Sequence, residues 1–183
     1  MPEITDKKTA WTGKFLKAVL IELRNSKGEK FIWEAFKRQN CDGIIAVVPF
    51  TKDGQVVVIK QFRPPVEKYV IEFPAGLSDR GESLIDVAHR ELLEETGYST
   101  PVMELLATGP LSAGASTEVL TVFVAVDAEK TSAQNLDHGE EIEIITLPVK
   151  DFYQNVYALE NENTYIDLKL FGLFELAKKK YPV

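Results

Sequence analysis

The stretch from Gly76 to Tyr98, GLSDRGESLIDVAHRELLEETGY, constrains this chain more than any other. Ser83, with Asp86 three residues on, offers an acceptor to the first free backbone N–H groups, and Gly97 supplies a stop, so the spacing predicts a helix from Ser83 to Thr96. On helical spacing Leu84, Val87, Ala88 and Leu92 share one broad apolar side, and Glu91, Glu94 and Glu95 continue along it one or two turns later. A helix that buries this face carries carboxylates toward the interior.

A solvated charged face is the ordinary account of such a cluster. It fits poorly here, because Glu91 and Glu95 are like charges four residues apart, which repel, and a half-buried carboxylate is costly without a compensating cation. A hard divalent cation held by oxygen ligands supplies that compensation.

The same residues resemble the Nudix box: glycine, five residues, glutamate, seven residues, then arginine, glutamate, an apolar residue, any residue, two glutamates, any residue, glycine and an apolar residue. Here these are Gly76, Glu82, Arg90, Glu91, Leu92, Glu94, Glu95, Gly97 and Tyr98, of which only Tyr98 is a soft match. Chance agreement at a given start is on the order of 10⁻⁸, so coincidence is a poor explanation. The resemblance implies a Nudix hydrolase, which splits substrates in which a nucleoside diphosphate is linked to another group. It implies that Glu91, Glu94 and Glu95 bind magnesium, or manganese, with the Ala75 carbonyl as a further ligand. It also implies that Glu82 and Arg90 tie the loop to the helix, which an ordinary salt bridge describes as well.

The chain has 183 residues, 45% of them hydrophobic and 27% charged, which suits one soluble globular domain with a small appendage. A formal net charge of −7 argues against nucleic acid and anionic membrane as partners. Cys41 is the single cysteine, so no intrachain disulfide can form and a reducing compartment is the easier home. The opening MPEITDKKTA lacks a signal-peptide core and no run nears about eighteen apolar residues, so the expected location is cytoplasmic.

Behind that opening, read as a polar tail, Lys14 to Leu23 alternates and the RNSKGE turn separates it from Lys30 to Lys37, a β-hairpin pattern. Phe31, Trp33 and Ala35 point one way and Ile32 and Phe36 the other, so both faces need cover. On the residues alone, Trp33 fits a core, a dimer interface or a ligand platform.

The run IWEAFKR, followed by QFRPP and IEFPAGL, resembles the ADP-ribose pyrophosphatase branch of the Nudix hydrolases, nearest to the human-type nucleoside diphosphate-sugar hydrolases. The resemblance implies N-terminal strands exchanged within a homodimer, and aromatic residues of the two subunits sandwiching the base. Trp33 is then one wall and Phe15, where the branch often has tryptophan, the other. Glu34 would read the base and Arg38 hold the diphosphate, although a solvated strand edge also describes them.

Gly43 to Phe50 and Gln55 to Phe62 are β-branched runs joined by TKDG, which reads as a pair of adjacent antiparallel core strands. Arg63 ends the second, where a planar guanidinium can clamp phosphate oxygens, a role the branch also implies. Tyr69 to Phe73 reads as a strand that Pro74 ends, leaving Ala75 and Gly76 in a loop facing the helix. Val102 to Ala107 and Val119 to Val126 read as strands joined by GPLSAGASTE, a loop that its glycines keep adaptable. In the family this loop borders the sugar and diphosphate pocket, and the branch commonly carries a segment like SPGxxxE where this chain has Ser112, Ala113, Gly114 and, further on, Glu118. Alanine in place of proline at 113 implies a freer wall and broader acceptance of sugars.

The acidic run TSAQNLDHGEEIE precedes ITLP, and related hydrolases place a catalytic glutamate just before this strand. Glu140 is the best match for the base, with Glu141 and Glu143 as fallbacks, and neither His89 nor His138 is expected to be a ligand. A short helix is predicted from Val149 to Asn155 and a longer one from Thr164 to Lys180, with Ile166, Leu170, Leu173, Phe174 and Ala177 in one stripe.

The expected fold is therefore α/β: a Nudix α/β/α sandwich with a mixed sheet over residues 43–183, preceded by an antiparallel β appendage over residues 1–42. The expected activity is Mg²⁺-dependent hydrolysis of the pyrophosphate bond of nucleoside diphosphate sugars, ADP-ribose among them, to AMP and ribose 5-phosphate. A hydrolase of capped RNA or dinucleoside polyphosphates would share the box but should show a basic surface. A catalytically silent ligand-sensing domain should lack a box carboxylate, and none is missing.

Overall fold

In the computed structural model, which describes residues 1–181, the N-terminal hairpin belongs to a separate three-stranded antiparallel sheet. Its strands are β1 (Glu3–Thr12), β2 (Leu16–Arg24) and β3 (Lys30–Arg38). The opening read as a polar tail is thus a strand, paired along β2 from Glu3 opposite Arg24 to Thr12 opposite Lys17. Every residue of β1 is exposed, and ladder bonds and charge pairs such as Lys8–Glu22 at 2.7 Å support it in place of an apolar face. Such a strand leaves no hydrophobic alternation to read.

The rest of the chain runs through β4 (Gly43–Thr51), β5 (Gln55–Arg63), β6 (Lys68–Glu72), β7 (Ala75–Ser78), α1 (Leu84–Thr96), β8 (Tyr98–Ser99), β9 (Val102–Pro110), β10 (Val119–Lys130), β11 (Ile142–Pro148), α2 (Phe152–Tyr157), β12 (Thr164–Ile166) and α3 (Lys169–Lys180). The strands make one nine-stranded sheet with the path β12-β6-β5-β4-β10-β8, while β11 pairs with β5, β7 with β4 and β9 with β10. Pairing is parallel at β4–β10 and β6–β12 and antiparallel elsewhere, so the sheet is mixed, as expected.

Alternation along β4 divides the interior into two cores. Ile45 and Val47 face Val87, Ala88 and Leu92 of α1, whereas Ile44, Ala46, Val48 and Phe50 face a core containing Phe152 of α2 and Leu170 and Phe174 of α3. The rings of Phe152 and Phe174 stack with centroids 3.7 Å apart, joining the two helices on that face. Helices on both faces of a mixed sheet make the α/β/α sandwich.

Three boundaries differ from the sequence reading. Ala75 and Gly76 are not in a loop: Ala75–Ser78 is a strand bonded to β4, too short for an alternating pattern to show. Thr164 to Lys180 is not one helix, because Thr164–Ile166, a β-favourable triplet, adds to the edge of β6, and the helix begins at Lys169. β4 and β5 are adjacent and antiparallel, as expected, but their pairing is shorter than the runs suggest, limited to Phe50–Val56, and β5 pairs further with β6 and β11. Among the described residues no helix is long and apolar enough to cross a membrane.

Candidate active site

Helix α1 starts and stops where its sequence dictates. Ser83 is the N-cap and its hydroxyl accepts the Asp86 N–H, while Gly97 closes the helix at φ +71°, where an added Cβ would meet the Ser132 carbonyl oxygen at 2.2 Å. Its last two turns carry Glu91, Glu94 and Glu95 at the end where the helix dipole disfavours negative charge.

Arg90 offsets part of that cost. Its Nε donates to Glu82 at 3.1 Å, and Nη1 donates to Glu91 at 2.8 Å and to Glu94 at 2.9 Å. The expected Glu82–Arg90 tie is present, and the same guanidinium gathers two further carboxylates. Burial works against its charge, but the hydrogen bonds to Glu94 and Glu82 and the charge of Glu91 outweigh it and raise its pKa.

Glu95 has no such cation. It is 4% exposed, and its carboxylate accepts one hydrogen bond, from the Ala75 N–H at 3.0 Å. Burial raises its pKa well above the usual carboxylate range; the Ala75 bond opposes this, and Glu91, Glu140 and Glu72 add to the rise. Glu91 is likewise raised, chiefly by burial, although Arg90 pulls it down. Gly76 makes room for this crowding: a Cβ there would land 2.0 Å from Cδ of Glu91. Among the described residues no three acidic, histidine or cysteine side chains form a ready metal-ligand set, since Arg90 draws Glu91 and Glu94 toward itself. A buried, uncompensated Glu95 beside the half-buried Glu91 and Glu94 fits a hard divalent cation.

A cavity of about 560 Å³ opens over these groups. Glu91, Glu95, Ala75 and Glu140 line its acidic side, and Arg38 and Arg63 line it as well. Arg63 Nε donates to Glu72 at 2.7 Å, and Glu72, at 12% side-chain exposure, has its pKa raised by burial against the pull of Arg63. Of the three candidate bases only Glu140 lines the cavity; Glu143 pairs instead with Lys60 at 3.1 Å.

Of the N-terminal candidates only Arg38 lines that cavity. Phe15, Trp33, Glu34, Ala113 and Gly114 do not line it, and Phe15 and Trp33 are 66% and 49% exposed. Phe15 sits beside Gln39, whose N–H bonds its carbonyl, so Trp33, six residues back along the chain, lies about 20 Å from it at strand rise. One chain therefore does not bring the two aromatic walls together. Trp33 instead donates its indole N–H to the Gly114 carbonyl at 2.8 Å.

The loop of residues 111–118 is not a free wall either. Phe36 N–H bonds the Ala115 carbonyl at 2.9 Å and Thr117 N–H bonds the Phe36 carbonyl at 3.1 Å, so β3 stitches it down.

Sequence reasoning missed Glu72, Asp167 and Lys169, and named Glu118 only as the end of the segment like SPGxxxE, without a role. Glu72 and Glu118 back Arg63 and Arg38, at 2.7 Å and 2.6 Å, and the IEFPAGL and SAGASTE runs held both. Asp167 and Lys169 reach the cavity at the start of α3, a placement hidden when Thr164 to Lys180 is read as one helix.

Residues 42–168 match the NUDIX domain family. The chain belongs to the Nudix family. This Nudix chain is 37% identical over 175 residues to an uncharacterised Nudix hydrolase of Schizosaccharomyces pombe, spanning 88% of this chain and 85% of that one. It is 33% identical to an ADP-ribose pyrophosphatase of Bacillus subtilis, over 76% of this chain and 74% of the relative. It is 31% identical to an ADP-sugar pyrophosphatase of Mus musculus, over 92% and 84%. Its fold matches that of an ADP compounds hydrolase crystal structure with a TM-score of 0.78 at 20% identity, over 99% of this chain and 94% of the other.

Proposed function

We propose that this chain is a Mg²⁺-dependent hydrolase of the pyrophosphate bond of nucleoside diphosphate sugars, with ADP-ribose cleaved to AMP and ribose 5-phosphate. The observation that carries the reading is one cavity lined by the buried, uncompensated Glu95 and the half-buried Glu91 of α1 and by arginines that include Arg38 and Arg63. A diphosphate ester suits such a site, because cation at one side and arginine at the other both complement its charge. The names of the Bacillus subtilis and mouse relatives support the same substrate class.

In this reading Glu91, Glu94, Glu95 and the Ala75 carbonyl hold Mg²⁺, with Mn²⁺ as a substitute. The bound cation would neutralise charge developing on the phosphate oxygens. Arg63 and Arg38 hold the diphosphate in line, and Glu140 takes the proton of the attacking water. Glu82 and Arg90 keep the loop against the helix, with Arg90 releasing Glu91 and Glu94 to the cation.

Residues 43–183 form the hydrolase unit and residues 1–42 an appendage exchanged in a homodimer. Support comes from the N-terminal segment, whose Ile4, Trp11, Phe15, Phe31, Ile32 and Trp33 are exposed. Pairing two such sheets would let Trp33 of one subunit and Phe15 of its partner flank one base, with Glu34 reading its edge. Ala113 and Gly114 border the site through the loop that Trp33 holds. The net charge of −7 and single cysteine suit a cytoplasmic enzyme of small substrates, with no nucleic-acid or membrane partner.

Broad acceptance of sugars now rests on the cavity floor. Ile44, Ala46, Phe73, Leu120, Leu170 and Leu173 are apolar, and an apolar wall rejects an extra hydroxyl weakly. A panel of nucleotide sugars, capped RNA and dinucleoside polyphosphates with Mg²⁺ tests the reading. ADP-ribose and at least one other nucleotide sugar, such as a GDP-hexose, should be cleaved with kcat/KM within about tenfold of each other. Preference for capped RNA or dinucleoside polyphosphates would reject the substrate class, and a thousandfold lead of ADP-ribose would reject the breadth.

A further inference from the structure

Arg38, the last residue of β3, reaches the cavity from outside the nine-stranded sheet, and what aims it is not in the Nudix box. Its Nε lies 2.6 Å from Oε1 of Glu118, whose side chain is only 7% exposed. The two atoms are poorly aligned for a hydrogen bond, yet both are buried and neither bonds anything else among the described residues. Glu118 has no second cation to satisfy it, and Arg38 has no second anion at Nε.

Both partners are fixed at the main chain. Thr117 N–H bonds the Phe36 carbonyl at 3.1 Å, Leu111 N–H bonds the Glu118 carbonyl at 3.0 Å, and Glu118 N–H bonds the Ser116 hydroxyl at 2.9 Å. The loop and the strand thus hold Glu118 and Arg38 in register. A joint built only for stability would do as well with two apolar side chains, since taking a charge pair out of water costs much of what the pair returns. What the ion pair adds is direction: holding a planar guanidinium at Nε fixes the plane of the fork where Arg38 lines the cavity.

We propose that Glu118 is the positioning residue for Arg38, holding its guanidinium at the angle at which it grips a diphosphate. The proposal rests on the cavity being a diphosphate site. Glu118 touches no substrate in this account; it acts through Arg38.

The test is a double-mutant cycle on the Kd for ADP, measured by calorimetry on the full chain. Glu118→Gln keeps the shape and removes the charge, and should weaken ADP about tenfold, as should Arg38→Ala. The double variant should bind no more weakly than Arg38→Ala alone, and Glu118→Asp should recover part of the loss. Arg38→Ala leaves Glu118 buried and unpaired, so Arg38→Lys, which keeps the charge without the fork, is the second reference if that variant does not fold. Against it, too, Glu118→Gln should cost nothing further.

Additive losses reaching about a hundredfold, or wild-type affinity in Glu118→Gln, would overturn the positioning role. A chain that passes this cycle but does not cleave ADP-ribose would reject the proposed reaction and leave the role of Glu118 standing. A wild-type chain that does not bind ADP overturns both.

Discussion

At Glu95 the helix buries a carboxylate with a backbone N–H as its one hydrogen-bond partner, while Arg90 satisfies its neighbours. Leaving a charge there costs free energy that the apo fold does not recover, which is how a site stores affinity for a cation. Glu140 sits across the cavity, close enough for its charge to raise Glu91 and Glu95, yet hydrogen bonded only within its own turn, to the Asp137 N–H at 3.2 Å. A carboxylate so placed can take a proton without dismantling the fold. Glu140→Gln should therefore lower kcat by about 10²-fold or more with little change in substrate affinity, and Glu141→Gln should leave kcat near wild type. Steady-state kinetics on both variants checks this; the reverse pattern would move the base by one residue.

Among the elements, the contact of β7 with α1 decides the site. Gly76 lets the strand pass directly against Glu91, and any side chain there pushes into that carboxylate. Gly76→Ala should keep the fold, because the clash falls on the end of a flexible side chain, but cost about 10²-fold in kcat/KM through a displaced Glu91. A melting curve and kcat/KM on the same preparation check it, and unchanged turnover would contradict the tight approach. Helix α1 was legible in the sequence because its cap, its stop and its apolar stripe all agree, from Ser83 through Leu92 to Gly97. β7 was not, since four residues cannot display a period, and β12 was lost because Ile166 also falls in the helical stripe with Leu170 and Leu173. β1 was hidden for a third reason, its lack of any buried face. The box carboxylates could be placed from spacing, but the anchors of Arg38 and Arg63 could not: Glu118 is far from Arg38 in the chain, and Glu72 meets Arg63 only through the pairing of β5 with β6.

For the whole molecule, the N-terminal sheet bears on the proposed dimer. Its exposed aromatic and aliphatic side chains, and the separation of Phe15 from Trp33, are explained together if two copies exchange these strands. Such an interface should bury well over about 1,000 Å², so sedimentation at micromolar concentration should show a dimer, and a fully active monomer would contradict it. The central claim concerns α1: its buried carboxylates serve a cation that acts on a diphosphate. The most direct measurement is kcat of Glu95→Gln on ADP-ribose at saturating Mg²⁺, beside the wild type and with the melting temperature confirming the fold. A fall of at least about two orders of magnitude is predicted, because a charged ligand supports several transition-state contacts together. Turnover near the wild-type value, in a folded variant, would contradict it.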